Sequence, residues 1–203
     1  MPPIYHITPV DNLPGIIKTG GLFCDRDAKS IQFVNIGHRN IKDRRLRKKV
    51  PCGPVGVVAD YVPFYFAPRS PMLFTINKGN VVGYTGGQEP VVHLVSSTEA
   101  VDAAGLEWVF TEGHAVMDYT DFFDDFADLD KIDWPLMGSR YWFDSDEYPD
   151  RCRRRQAEFL VHKFFPWKLF SEIGVYNTAI AQKVNQILAG RNIPVSIRRA
   201  WYY

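Results

Sequence analysis

The sequence predicts a single α+β domain, and three observations predict it. Short apolar segments of strand length recur along the chain, and helical spacing is confined to a few stretches between them. The 203 residues are one domain's length, with no repeat, low-complexity segment or convincing linker to divide them. A hydrophobic content of 46%, with 14% aromatic, is ample for a packed core.

Taken in order, residues 4–8 read as a strand and residues 10–22 as a helix. Asp11 or Asn12 is its cap, Pro14 suits its first turn, and Gly20 and Gly21 stop it. Leu13, Ile16 and Ile17 supply its apolar stripe. His6 on the first strand is by default a core or edge histidine; its functional reading is a polar group for a ligand docked before a helix N-terminus. Residues 28–49 then turn polar and basic. Between residues 39 and 49 seven basic residues stand against one acid, although the whole chain carries a formal charge of only +1. Such a run is either a solvated helix face or a helix with one arginine turned inward and the others lining a nucleic-acid channel.

Pro51, Gly53, Pro54 and Gly56 break this pattern. Residues 55–58 and 61–66 give one or two strands, and residues 67–71 a rigid turn leading into 72–76. Residues 91–95 form another strand, with a capped helix start at 96–99; residues 107–111 form a further strand and 112–114 a turn. From 119 to 132 the spacing is helical, with Phe122, Phe123, Phe126 and Leu129 on one side. The aspartates opposite could bind a cation, but alternation with a phenylalanine stripe favours a plain amphipathic helix. An irregular aromatic stretch follows, including Trp134, Tyr141, Trp142 and Phe143, of a kind that carries recognition. Asn177 caps a last helix with Ile180, Val184, Ile187 and Leu188 inward, and residues 195–199 close the sheet.

The chemistry concentrates at residues 151–167. Arg151, Arg153, Arg154 and Arg155 run into a strand-like segment whose alternation sends Ala157, Phe159 and Val161 one way and Gln156, Glu158, Leu160 and His162 the other. Burying Glu158 without partners costs several kcal/mol or forces it to take up a proton. It is therefore either an edge carboxylate paired with an arginine or the acid of a Gln-x-Glu active-site strand.

Several classes are excluded. Cys24, Cys52 and Cys152 are scattered and odd in number, so neither a disulfide framework nor a zinc knuckle is expected. The histidines lack zinc-ligand spacing, and no metal is expected. Phosphate-loop, dinucleotide-fingerprint and nucleophile-elbow motifs are all missing. No apolar run approaches ~20 residues and no signal-peptide pattern opens the chain, so a reducing cytoplasm is the default and no membrane partner is expected. What remains suits a carboxylate that steadies an oxocarbenium ion while a glycosidic bond breaks.

Eight blocks in order carry a resemblance. They are Tyr5-His6-Ile7-Thr8 with Asn12-Leu13; Gly20-Gly21-Leu22; Ile41-Lys42-x-Arg44-Arg45; Val62-Pro63-Phe64-Tyr65-Phe66 running to Pro71-Met72-Leu73; Trp108-Val109-Phe110-Thr111-x-Gly113-His114-Ala115; Ile132-Asp133-Trp134; Arg154-Arg155-Gln156-Ala157-Glu158-Phe159-Leu160-Val161; and Trp201-Tyr202-Tyr203. Together they resemble DarT-type DNA ADP-ribosyltransferases, toxins of bacterial toxin–antitoxin pairs. The resemblance implies a single ADP-ribosyltransferase domain over residues 1–203, with a split β-sheet core, helices and NAD⁺ in the cleft between the halves. It implies transfer of ADP-ribose to a base of single-stranded DNA, typically thymine in a short sequence context, and a macrodomain antitoxin that removes the mark. The protein is expected to be a monomer.

Carried over by residue, the resemblance makes Glu158 the catalytic carboxylate. Arg44 is the chosen arginine for the NAD⁺ phosphates and the attacking base, with Arg45 and Arg47 as rivals because the helix register is open. His6 and Thr8 would hold the nicotinamide-ribose end, and Asn12, Tyr65 and Met72 would line the cleft. The substrate loop maps to about 119–155. The expected cationic contacts to DNA are Arg45, Arg47, Arg153 and Arg154, and the expected stacking residues are Tyr141 and Trp142. The rival readings are an RNA-directed transferase of the same fold, a non-catalytic nucleic-acid-binding module, and a domain whose charge segregation serves a protein partner.

Overall fold

A computed structural model describes residues 1–30, 33–37 and 39–203; His38, in the basic run, lies outside the described residues. In chain order the elements are β1 (Pro3–Pro9), α1 (Leu13–Lys18), β2 (Gly21–Phe23), α2 (Arg39–Arg45), β3 (Tyr61–Tyr65), α3 (Pro71–Asn77), β4 (Val91–Ser97), α4 (Thr98–Ala103), β5 (Trp108–His114), β6 (Phe122–Phe123), α5 (Trp134–Gly138), α6 (Arg151–Arg154), β7 (Ala157–His162), β8 (Phe164–Pro166), β9 (Glu172–Val175), α7 (Thr178–Leu188) and β10 (Val195–Ile197). Eight strands form one sheet in the order β10-β9-β4-β1-β3-β7-β5-β6, and β2 pairs with β8 apart from it. All neighbours run antiparallel except β9 and β10, which α7 connects in parallel.

The sheet is split at its centre. β1 pairs with β4 through seven residue pairs but meets β3 only at Tyr5 and Tyr65. Pro63 has no N–H to give a ladder, and its carbonyl is taken by His6 Nδ1 at 2.8 Å. The β1–β3 seam therefore stays open at one end.

The alternation read for β7 is observed. Ala157, Phe159 and Val161 enter the main core with Phe64, Phe110 and Phe165, whereas Leu160 packs beneath the other face with Val58 and Val109. Phe64 and Phe159 are fully buried and opposite one another across β3 and β7, each worth about 1.5–3 kcal/mol of apolar burial. α7 closes the core with Val184 and Leu188, its N-terminus capped by Asn177 accepting from the Ile180 N–H at 3.0 Å. α3 starts in the same way, with Ser70 Oγ accepting from the Leu73 N–H.

Three expectations are corrected. Residues 119–132 form no α-helix: β6 pairs with β5, and a 3-10 turn covers Phe126–Lys131. Asp125 accepts from the Ala127 N–H at 2.8 Å, and short polar side chains that bond nearby backbone favour such turns over helix interiors. The phenylalanines still face the core: Phe126 stacks on Trp108 at 4.0 Å and Phe123 on Phe110 at 5.1 Å. Residues 112–114 are not a turn but the end of β5, reached through a bulge between Phe110 and His114. Asn12 stands at the N-cap position of α1, but its side chain makes no capping bond and is used elsewhere.

Candidate active site

β7 places Glu158 opposite Tyr65, at the one point where β1 and β3 meet, and Gln156 and Glu158 line one cleft with His6, Thr8, Asn12, Tyr65 and Met72. Glu158 is only 4% exposed, yet every neighbour favours its ionised form. Arg45 Nη1 donates to Oε2 at 2.6 Å, the Ala115 N–H approaches Oε1 at 3.3 Å, and His114 Nδ1 stands 3.5 Å from Oε1, an ion-pair distance. Burial pushes this carboxyl up. The Arg45 guanidinium and then His114 outweigh burial and hold its pKa down at about 2.

The bulge in β5 makes this arrangement. Thr111 Oγ1 accepts from the Glu158 N–H at 3.1 Å and donates to the Gly113 carbonyl at 2.7 Å, which turns His114 and Ala115 towards the carboxylate. A Cβ on Gly113 would lie 2.2 Å from Arg153 Nη1, so any side chain there would push the arginine from its present position. His114 and Ala115 were missed as partners of Glu158, because a bulge changes which residues face it without leaving a mark in the alternation.

Arg45, not Arg44, is the arginine turned inward. Arg45 is 6% exposed and lines the cleft, with Asp25 Oδ2 3.5 Å from its Nε. Arg44 is exposed and donates to the Val116 carbonyl at 2.9 Å, outside the cleft. The register had a signal: Ile41 also lines the cleft, one helical turn before Arg45, so an apolar residue four positions earlier marks the inner face. Arg47 is exposed, its Nε bonded to the Asp43 carbonyl.

On the facing wall, the His6 Nδ1–H is spent on the Pro63 carbonyl. Burial lowers the pKa of this ring, leaving it neutral at neutral pH with Nε2 as an acceptor. Asn12 Nδ2 donates to Thr8 Oγ1 at 3.0 Å and to the Val34 carbonyl at 2.9 Å, while its Oδ1 accepts from the Val34 N–H at 2.7 Å. Asn12 thus ties the segment at 33–37 across the cleft. Tyr65 lies opposite Glu158 in the β3–β7 register, and burial pushes its phenol up, so it stays a neutral donor.

Two expected DNA contacts are corrected. Trp142 is 5% exposed, donates Nε1–H to Tyr203 Oη at 2.9 Å and packs on Phe74, so it is core and not a stacking surface. Arg153 is consumed by Glu112 at 2.6 Å and Asp150 at 2.7 Å. Tyr141, by contrast, is 73% exposed, and Arg154 is half-exposed beside Asp133 at 3.0 Å. Arg155 is buried and bonds the carbonyls of Leu136, Met137 and Arg69, fixing the end of α5.

An ionised, desolvated carboxylate beside a buried arginine, at the seam of a split sheet, can steady a cation at a sugar carbon. Fold and site together define an ADP-ribosyltransferase. Residues 5–203 match the family described as "ssDNA thymidine ADP-ribosyltransferase, DarT", and the chain belongs to that family. A DNA ADP-ribosyl transferase of Thermus sp. strain 2.9 is 46% identical over 99% of this chain and 96% of its own length. The DarT of Thermus sp. 2.9 in complex with ADP-ribosylated ssDNA superimposes with a TM-score of 0.93 at 45% identity, covering 99% of this chain and 96% of that one. Its complex with NAD⁺ gives 0.89 at 44% identity, with 99% and 97% covered. A Thermosipho africanus DNA ADP-ribosyl transferase–DNA ADP-ribosyl glycohydrolase fusion protein is 23% identical over 95% of this chain and 47% of its own length.

Proposed function

We propose that the chain transfers ADP-ribose from NAD⁺ to a thymine of single-stranded DNA with Glu158 as the catalytic carboxylate and Arg45 facing the acceptor base. The observation that carries this reading is the pairing of Arg45 and Glu158. Only Nη1 is spent on the carboxylate, and the buried Nη2 has no hydrogen-bond partner among the described residues. An unpartnered buried donor costs about 1–3 kcal/mol, so a ligand acceptor belongs there.

In the reaction the glycosidic bond to nicotinamide breaks as a bond forms from the sugar carbon to a base nitrogen, and the nitrogen's proton passes to solvent. Glu158 accepts a ribose hydroxyl and stabilises the positive charge developing at the sugar carbon. Arg45 Nη2 donates to the base where negative charge collects on deprotonation; a guanidinium is itself too weak a base to take that proton. His6 Nε2 and Tyr65 orient the nicotinamide-ribose end, and Thr8, Asn12 and Met72 complete the wall. Residues 119–155 carry the DNA, with Tyr141, Arg154 and Arg47 as its contacts. The Thermosipho africanus relative fused to a glycohydrolase supports a reversing partner, for which we infer the macrodomain type, and we place the activity in the cytoplasm.

The test is mass spectrometry of a mixed-sequence single-stranded oligonucleotide pool incubated with protein and NAD⁺. An ADP-ribose adduct on thymine, lost by at least ~10²-fold in Glu158→Gln, is expected. Adduct formation at the wild-type rate in that variant would remove Glu158 from the mechanism.

A further inference from the structure

Asp25 stands beside Arg45 in the cleft, its Oδ2 3.5 Å from the guanidinium Nε. An arginine beside a carboxylate ordinarily closes into a two-pronged pair, with two parallel N–H···O bonds. Here it does not: Nη1 alone meets Glu158, at 2.6 Å, and among the described residues neither Nη2 nor Nε has a hydrogen-bond partner, Nε having only the ion-pair contact with Asp25. The structure supplies the reason on both sides. Glu158 Oε1 is turned to the Ala115 N–H, and Asp25 Oδ2 stands 3.5 Å from Arg45 Nε. Asp25 Oδ1 also pairs with Lys42 at 3.4 Å, one turn earlier on α2, so the carboxylate spans the inner face of the helix. Asp25 lies in the turn after β2 and lines the same cleft.

We propose that Asp25 is a positioning residue: by anchoring the Nε edge it prevents Arg45 from rotating into a two-pronged pair with Glu158, and so keeps Nη2 directed at the acceptor base. This rests on the reading that Arg45 Nη2 serves the acceptor. Without the Asp25 charge, Glu158 is the remaining anion within reach of the guanidinium. Nη2 would then be drawn onto it and withdrawn from the base. Glu158 would still stabilise charge at the sugar carbon, so NAD⁺ would still be cleaved, with water as acceptor. Asp25 therefore governs where the ADP-ribose goes more than whether the bond to nicotinamide breaks.

The test is the partition between ADP-ribose on an oligonucleotide and total nicotinamide released, in Asp25→Asn, Asp25→Glu and Arg45→Ala, with thermal melts as a control for folding. Asp25→Asn is expected to lower adduct per nicotinamide by about tenfold or more, as loss of one aligned donor does, while its KM for NAD⁺ moves little. Asp25→Glu, which restores the charge, is expected to recover part of the partition. A parallel fall in adduct and nicotinamide, or a raised NAD⁺ KM with the partition unchanged, would make Asp25 a scaffold or NAD⁺ contact and overturn the proposal. If Arg45→Ala itself keeps the wild-type partition, the underlying reading of Arg45 falls; if Arg45→Ala loses it and Asp25→Asn does not, only the role of Asp25 falls.

Discussion

Thr111 Oγ1 accepts a hydrogen bond from the backbone N–H of Glu158 and donates one to the Gly113 carbonyl. One buried hydroxyl thus closes the β5 bulge onto the strand that carries the carboxylate. Thr111→Val keeps the shape and removes both bonds, leaving a buried N–H and C=O unpaired. A loss of about 1–3 kcal/mol in urea unfolding is expected, together with a lower rate, because His114 and Ala115 are aimed by the same bulge. Unchanged stability and rate would show that the strand pairing alone fixes the site.

Trp142 and Tyr141 are neighbours in sequence with opposite fates. Trp142→Ala removes a buried indole and should destabilise the protein by about 3–5 kcal/mol. Tyr141→Ala leaves the melt unchanged and should weaken single-stranded DNA binding by about 1–3 kcal/mol, the value of one stacked base. Fluorescence anisotropy with a labelled oligonucleotide, beside thermal melts, checks both; an unaltered affinity in Tyr141→Ala would end its stacking role.

Arg44 and Arg45 separate along the same line. Arg44→Ala loses a bond to the Val116 carbonyl at an exposed site and should cost no more than about 1 kcal/mol of stability. Nicotinamide release should stay near the wild-type rate. A collapse of that release would mean that Arg44, not Arg45, reaches the chemistry.

Acid should act in two stages. Burial holds the His93 pKa at about 4 against an ordinary 6.5, so the unfolded chain binds a proton that the folded one refuses until near pH 4. Its contribution is complete above pH 6.5 and declines as pH falls towards 4. Glu158 is held at about 2 against an ordinary 4.5, so its contribution is present above 4.5 and is lost as pH falls towards 2. Urea midpoints should therefore fall as pH drops from 7 to 4.5 in the native protein and fall less steeply in His93→Gln, where buried His6 supplies the remaining slope. An equal slope in both would assign the upper stage to other groups.

Asn12→Ala should cut the tie to Val34 and loosen the segment over the cleft. Calorimetry is expected to show weaker NAD⁺ binding by about 1–2 kcal/mol for the lost bonds, with Thr8 still in place on β1. Equal affinity would show that the segment does not contribute to binding.

The sequence by itself determined the strand that carries Glu158, the alternation that buries Phe159 and Val161 away from it, the first strand with His6 and Thr8, and the capped last helix. These are local properties: a period of two, a period of 3.6, and side chains that bond the nearest backbone. Only the tertiary structure decided what the inward arginine meets, that residues 122–123 add to the sheet edge instead of forming a helix, and that Trp142 is core while Tyr141 is surface. Each depends on a partner distant in sequence: Arg45 on Glu158, Phe123 on Phe110, Trp142 on Tyr203. A pattern read along the chain carries the period of a segment; it does not carry the identity of the atom that meets it from 113 residues away.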